Sequence, residues 1–258
     1  ALAITEPSGG SDVANLETTA RREGDDYVLN GQKTFITSGM RADYITTAVR
    51  TGGDGMAGIS LLVVPGDAPG LERTEIPKMG WLASDTATLH FDECRVPARY
   101  LLAQENHGFL VIMHNFNAER MHIAGMALGF SRVCLQEAVE WAQQRKTFGK
   151  PLVRHQVVRH KLVDMAQRIA ALESTLDVLA WRLGQGQVPV AEVCMAKNQA
   201  TQCFEFCAKE AVQILGGAGF TRGVKSERLY RETKVLSIGG GAEEIMKELA
   251  ARQLGWLS

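Results

Sequence analysis

The residues of this chain that could do chemistry fall into a few short strings. Ile4-Thr5-Glu6-Pro7-Ser8-Gly9-Gly10-Ser11-Asp12 sets hydroxyls and glycines in order at the end of an apolar run, and Lys33-Thr34-Phe35-Ile36-Thr37-Ser38-Gly39 follows further on. Phe116-Asn117-Ala118-Glu119-Arg120-Met121 puts a carboxylate beside a guanidinium, Arg145-Lys146-Thr147-Phe148-Gly149-Lys150 is basic, and Gln213-Ile214-Leu215-Gly216-Gly217-Ala218-Gly219-Phe220 is glycine-rich. Each has a bland reading when taken alone. The first is a polar turn at a strand end, Glu119 with Arg120 is a solvated helix face, and the basic string is a helix end interacting with its dipole. The glycines mark a helix terminus, and Glu243-Glu244 are first-turn acids of another helix.

Composition narrows the ligand classes. Lys and Arg total 28 against 29 Asp and Glu in 258 residues, so no broad basic surface exists to drive nucleic-acid binding, and an anionic ligand must be held by a local cluster. The chain is 45% hydrophobic and long enough for one large domain or two ordinary ones. Cys94, Cys134, Cys194, Cys203 and Cys207 show no zinc or redox spacing, which fits reduced thiols in a reducing compartment and predicts no metal site. Cys203 and Cys207, one turn apart in an apolar pattern, read as buried core. No apolar run approaches the ~20 residues of a membrane span. Ala1-Leu2-Ala3-Ile4-Thr5 reads as a strand already under way, so a region upstream of it is expected.

These strings need elements to hold them. The first hundred residues read as an antiparallel sheet of five or six strands, with runs at Tyr44 to Val49, Gly58 to Val64 and Ala87 to Phe91. The strongest local signal is a hairpin of Tyr27-Val28-Leu29 and Thr34-Phe35-Ile36-Thr37 about Asn30-Gly31, a dipeptide suited to a type I′ turn. After Val96-Pro97 the period changes from two to 3.6. Helices are expected over Gly108 to Gln144, His155 to Leu183, Pro189 to Leu215 and Ala242 to Leu254. Val158, Leu162, Met165, Ile169, Leu172, Leu176 and Leu179 form a seam that suits bundle packing. The fold class is therefore α+β: a β-barrel-like antiparallel domain over residues 1–103 and an up-down four-helix bundle over 104–258.

Taken together and in this order, the strings resemble the acyl-CoA dehydrogenases, with the likeness running from the middle-domain strings at Ile4 and Lys33 through Gly149-Lys150 and Gln213 to Gly219 to the last helix. The resemblance implies FAD. Thr5, Gly10 and Ser11 would bond the isoalloxazine ring and pyrophosphate, Phe35 would stand against the ring, and Thr37 would reach its N5 edge. Arg145, Thr147 and Phe148 would reach across a subunit interface to a neighbour's FAD, with Gln213, Gly216 and Gly217 around its adenosine, while Gln156 would lie near the cofactor and Glu244 close to the flavin. Ser11, Arg120 and a backbone N–H near Gly240 would meet the acyl-CoA.

The resemblance also raises the question of the base. Dehydrogenation of an acyl thioester needs a group to take the α-proton, and a carboxylate in a water-poor pocket, its pKa raised by desolvation, suits that task. Many family members carry it in the loop before the last helix, here Tyr230 to Ile245, but the matching position is Gly240. The isovaleryl-CoA and long-chain branches supply it from the first long helix, where Glu119 stands in this sequence, with Arg120 anchoring substrate or ordering Glu119. That placement leans toward branched or longer acyl groups. The family further implies electron-transfer flavoprotein as acceptor, a homotetramer, and a cytoplasmic enzyme in a bacterium or a mitochondrial-matrix one in a eukaryote. Two other readings stay open: a flavin monooxygenase or oxidase of the same fold, and a non-catalytic relative that binds acyl-CoA or lipid without the family's N-terminal domain to enclose it.

Overall fold

The computed structural model describes residues 1–257. It divides into two compact units, Ala1–Asn115 and a second that begins at Phe116. The first holds strands β1 (Leu2–Ala3), β2 (Thr19–Glu23), β3 (Asp26–Thr37), β4 (Tyr44–Arg50), β5 (Ile59–Pro65), β6 (Leu71–Glu75), β7 (Thr86–Pro97) and β8 (Leu101–Leu102). They form one sheet in the order β6-β7-β3-β2-β4-β5-β8, with β1 beside β4. Its core is built from residues such as Tyr27, Leu29, Ile45, Leu62 and Leu89.

The sheet has eight strands, more than the five or six expected, and β1 and β2 each pair with β4 in parallel. Strands β2 and β6 escaped the sequence reading for a physical reason. Only Ala20 of β2 is buried and no residue of β6 is, so neither shows an alternating apolar face.

The hairpin expected at Asn30-Gly31 does not form, because β3 runs without a break from Asp26 to Thr37. Gly31 (φ 143°) is needed instead for close approach: a Cβ there would lie 2.7 Å from the Thr18 Cα. Asn30 serves the partner strand, its Nδ2 donating to Glu93 Oε1 (2.7 Å) and its Oδ1 accepting from the Glu93 N–H (2.9 Å). The β3–β7 register slips here, so the Asn-Gly pair marks a bulge rather than a turn. The actual hairpin joins β2 to β3 and turns between Glu23 and Asp26.

The second unit is helical. Helix α1 (Gly108–Gln144) begins in the first unit and continues into this one. A small hairpin follows, β9 (Lys146–Thr147) with β10 (Lys150–Pro151), and then α2 (Gln156–Gly184), α3 (Val190–Leu215), α4 (Gly217–Phe220), α5 (Lys225–Ile238) and α6 (Glu243–Gln253). Leu162 to Leu179 of the expected α2 seam are buried, and Val158 is half-buried. Helix α3 packs against α2, α5 and α6. All five cysteines are free and buried.

Among the described residues there are six α-helices against the four expected, and the main difference is α5. The sequence reads as loop from Tyr230, yet helix continues to Ile238 and the connection shrinks to Gly239–Ala242. The buried face of α5 alternates Ser226, Leu229, Thr233, Leu236 and Ser237, and those hydroxyls dilute the apolar period. Its N-terminus is capped from α1: Glu137 accepts bonds from the Lys225 N–H (3.0 Å), the Ser226 N–H (2.6 Å) and the Ser226 hydroxyl (2.6 Å). Burial works to raise the Glu137 carboxyl, but these donors outweigh it and hold it below the usual range. The cap is therefore fully present above the ordinary carboxyl pKa and lost as pH falls through the lowered one. Glu137→Ala is expected to cost about 1–2 kcal/mol in urea unfolding at neutral pH, with the difference from wild type shrinking in acid.

Candidate functional site

In the sheet unit, the loop after β1 is fastened to β3. Thr34 donates its N–H to Thr5 O (2.9 Å), and a Cβ on Gly10 would sit 3.2 Å from Thr5 Cγ2, so Thr5, Gly10 and the Thr34-Phe35 segment are neighbours. The fastening is a buried ion pair that the sequence reading missed. Lys33 Nζ lies 2.7 Å from Glu6 Oε1 and also donates to Ile4 O (3.1 Å), while Glu6 accepts from the backbone N–H groups of Glu17 and Thr18. Both residues stood inside the quoted strings, but a charge buried by pairing has no period to reveal it.

Phe35 carries the clearest mark of a site. It adopts φ 59°, costly for a bulky residue, at a second slip in the β3–β7 register, and the residue is 67% exposed. A strained, exposed aromatic of this kind is free to stack on a planar ligand. Thr37 and Ser11 are exposed, and the turn after Thr37 is held by Asp85, which accepts the Ser38 N–H on its carbonyl and the Met40 N–H on its carboxylate.

In the helical unit, Arg145 and Thr147 line a cavity of about 410 Å³ together with Trp141, Leu152, Gly216 and Gly217. Phe148 (φ 50°) and Gly149 (φ 76°) form the two-residue turn of the β9–β10 hairpin, the positive-φ geometry first expected at Asn30-Gly31. The turn leaves Phe148 96% exposed, with His155 edge-on at 6.1 Å. Gln156, Gln213 and Glu244 are exposed but do not line this cavity. A guanidinium, a hydroxyl and bare glycine backbone around one cavity suit a phosphate-bearing ligand.

The third cluster surrounds Glu119. A Cβ on Gly240 would stand 3.9 Å from Glu119 Oε1, so the empty position and the candidate base occupy the same corner. Burial pushes the Glu119 carboxyl above its usual pKa, with Arg120, His122 and Lys197 opposing that rise. Arg120 is only 4% exposed, and its Nε donates to Gly240 O (3.2 Å) while Nη1 donates to Asn117 Oδ1 (3.2 Å). These bonds tie Arg120 to the loop at Gly240 and to Asn117, and neither is to Glu119 itself. Glu243 is held by Gln202 and Lys247.

Two family descriptions match the chain: "Acyl-CoA dehydrogenase, middle domain" over residues 1–94 and "Acyl-CoA dehydrogenase, C-terminal domain" over residues 106–255. The chain is 42% identical to the acyl-CoA dehydrogenase AFT10-1 of Alternaria alternata, over 98% of this chain and 61% of that protein. It is 36% identical to the cyclohexane-1-carbonyl-CoA dehydrogenase of Geobacter metallireducens, over 98% of this chain and 67% of that one. A crystal structure of acyl-CoA dehydrogenase from Geobacillus kaustophilus superposes with a TM-score of 0.96 at 40% identity, covering 98% of this chain and 68% of that chain. The chain belongs to the acyl-CoA dehydrogenase family, and FAD is the cofactor that membership implies. It spans about three fifths of the length of AFT10-1.

Proposed function

We propose that this protein catalyses the FAD-dependent α,β-dehydrogenation of an acyl-CoA thioester to the trans-2-enoyl-CoA, with Glu119 taking the α-proton. The observation that carries this reading is the half-buried Glu119 carboxylate beside Gly240, its pKa raised by burial. When bound, FAD supplies the acceptor for the β-hydride. Thr5, Gly10, Ser11, Phe35 and Thr37 hold its ring end. Arg145, Thr147, Phe148, Gln213, Gly216 and Gly217 hold the nucleotide end of a second subunit's FAD, with Gln156 near the cofactor and Glu244 close to the flavin; sharing the cofactor needs an oligomer, which the family resemblance makes a homotetramer. A backbone N–H near Gly240 and Ser11 bind the thioester, and Arg120 keeps the Gly240 carbonyl turned away from it. Branched or longer acyl groups are the substrates, electron-transfer flavoprotein takes the electrons, and the bacterial cytoplasm or mitochondrial matrix is the setting.

The test is to mix FAD-loaded protein with acyl-CoAs from short to long, straight and branched, and follow flavin bleaching. No response to any of them would sink the reading. The base must be ionised to act, so the rate is expected to rise with pH through a midpoint above the ordinary glutamate value of 4.5. A midpoint at or below that value counts against Glu119.

The corner also predicts a transplant. Glu at position 240 needs φ near 66° and displacement of the Ile123 Cδ1 atom, which would lie 2.5 Å from the new Cβ. The backbone cost is about 1–2 kcal/mol, and Cδ1 is the movable end of its side chain. Gly240→Glu placed in a Glu119→Gln background is expected to regain part of the lost rate at lower thermal stability. A double variant no faster than Glu119→Gln alone contradicts the shared corner.

A further inference from the structure

Helix α3 carries a cation to which the reaction as described gives no task. Lys197 is 0% exposed, and its Nζ donates to Gly241 O (2.7 Å) and Ser237 O (3.2 Å). With Arg120 Nε on Gly240 O, two buried cations from two helices take three carbonyls of the short stretch Ser237–Gly241. Carbonyls at a helix end do lack intrahelical partners, but a neutral donor or water satisfies them. Burying an ammonium for that purpose is a costly way to do it, which points to a use for the charge.

Geometry supplies one. Across a trans peptide the carbonyl and the next N–H point in opposite directions. Drawing the Gly240 and Gly241 carbonyls onto Arg120 and Lys197 therefore turns the N–H groups of Gly241 and Ala242 away from those cations. Gly240 (φ 66°) and Gly241 (φ 106°) adopt backbone angles that other residues avoid, so the turn relies on such outside bonds to keep its shape.

We infer that Lys197 is a positioning residue: its ammonium clamps the Ser237–Gly241 turn through two carbonyls and presents a buried positive charge to Glu119. The inference rests on Glu119 being the base. The charged and titratable groups facing Lys197 are Arg120 and Glu119 on α1, Cys194 on α3 and Glu243 on α6. Burial first and Arg120 second depress the ammonium to about 8, with Glu243, Cys194 and Glu119 opposing, so it is charged at neutral pH. The cations facing Glu119 are Arg120, His122 and Lys197.

The test uses Lys197→Met, which loses both hydrogen bonds and the charge, and Lys197→Gln, which keeps a donor but not the charge. The Glu119 carboxyl is titrated by isotope-edited infrared spectroscopy, its band assigned by disappearance in Glu119→Gln, and no turnover is needed. Both variants are expected to raise the Glu119 pKa, because a facing cation is gone. Lys197→Met is also expected to lower kcat about 10²-fold with KM little changed, as loss of positioning does, and Lys197→Gln to lower it less. An unmoved titration in either folded variant, or wild-type kcat in Lys197→Met, overturns the inference. Should Lys197→Met not fold, the titration of Lys197→Gln decides the matter. Wild-type protein inert to every acyl-CoA defeats the dehydrogenase reading instead, and the titration still judges Lys197.

Discussion

Replacing Lys33 by Met is expected to destabilise the sheet unit by about 3–5 kcal/mol, the usual consequence of removing one partner from a buried ion pair. Lys33 and Glu6 side chains are 0% and 3% exposed and 2.7 Å apart, so the methionine leaves a carboxylate stranded in the interior. Burial alone would raise the Glu6 carboxyl. The Lys33 charge and bonds from Lys33, Thr18 and Glu17 outweigh it and hold the pKa below the ordinary range. Glu6 joins the loop after β1 to the backbone entering β2, and Lys33 joins it to β3. Losing the pair therefore also frees the segment bearing Thr5, Gly10 and Ser11, and weaker retention of FAD should accompany the lower midpoint in urea. Adding Glu6→Gln should recover part of the stability by removing the stranded charge. A loss below about 1 kcal/mol in the single variant would show the pair to be dispensable.

The second large effect is at Glu119. Glu119→Gln keeps the size and hydrogen-bonding reach of the side chain but cannot accept a proton, so FAD content should be unchanged while turnover falls by roughly 10²–10⁴, the share of a positioned general base. Retained flavin separates loss of chemistry from loss of fold. Glu243 and Glu244 offer no substitute. Glu243 is engaged with Gln202 and Lys247, which help hold its carboxyl low and make it a poor base, and Glu244 is exposed on the first turn of α6.

Much of this site was legible in the sequence where a pattern repeats or a string matches. The α2 seam and the ends of α3 and α6 follow from apolar spacing and glycine position. Of the strings the resemblance singles out, Phe35 is exposed, and Arg145 and Gly216 line one cavity. What escaped has no local signal. Asn30-Gly31 has the composition of a turn, but its conformation is decided by Thr18 and Glu93, both distant in sequence. Helix α5 hid behind its buried hydroxyls, and its cap comes from Glu137 on another helix. Lys33 and Lys197 are polar residues placed in the interior by partners that only the folded chain brings near.

The proposed chemistry depends on one carboxylate, Glu119, taking the α-proton. Rapid mixing of FAD-loaded wild type and Glu119→Gln with an acyl-CoA that wild type accepts, followed at the flavin absorbance in a single turnover, addresses it most directly. The expected result is prompt bleaching in wild type and bleaching slower by at least about 10²-fold in the variant. Equal rates in the two proteins would contradict it.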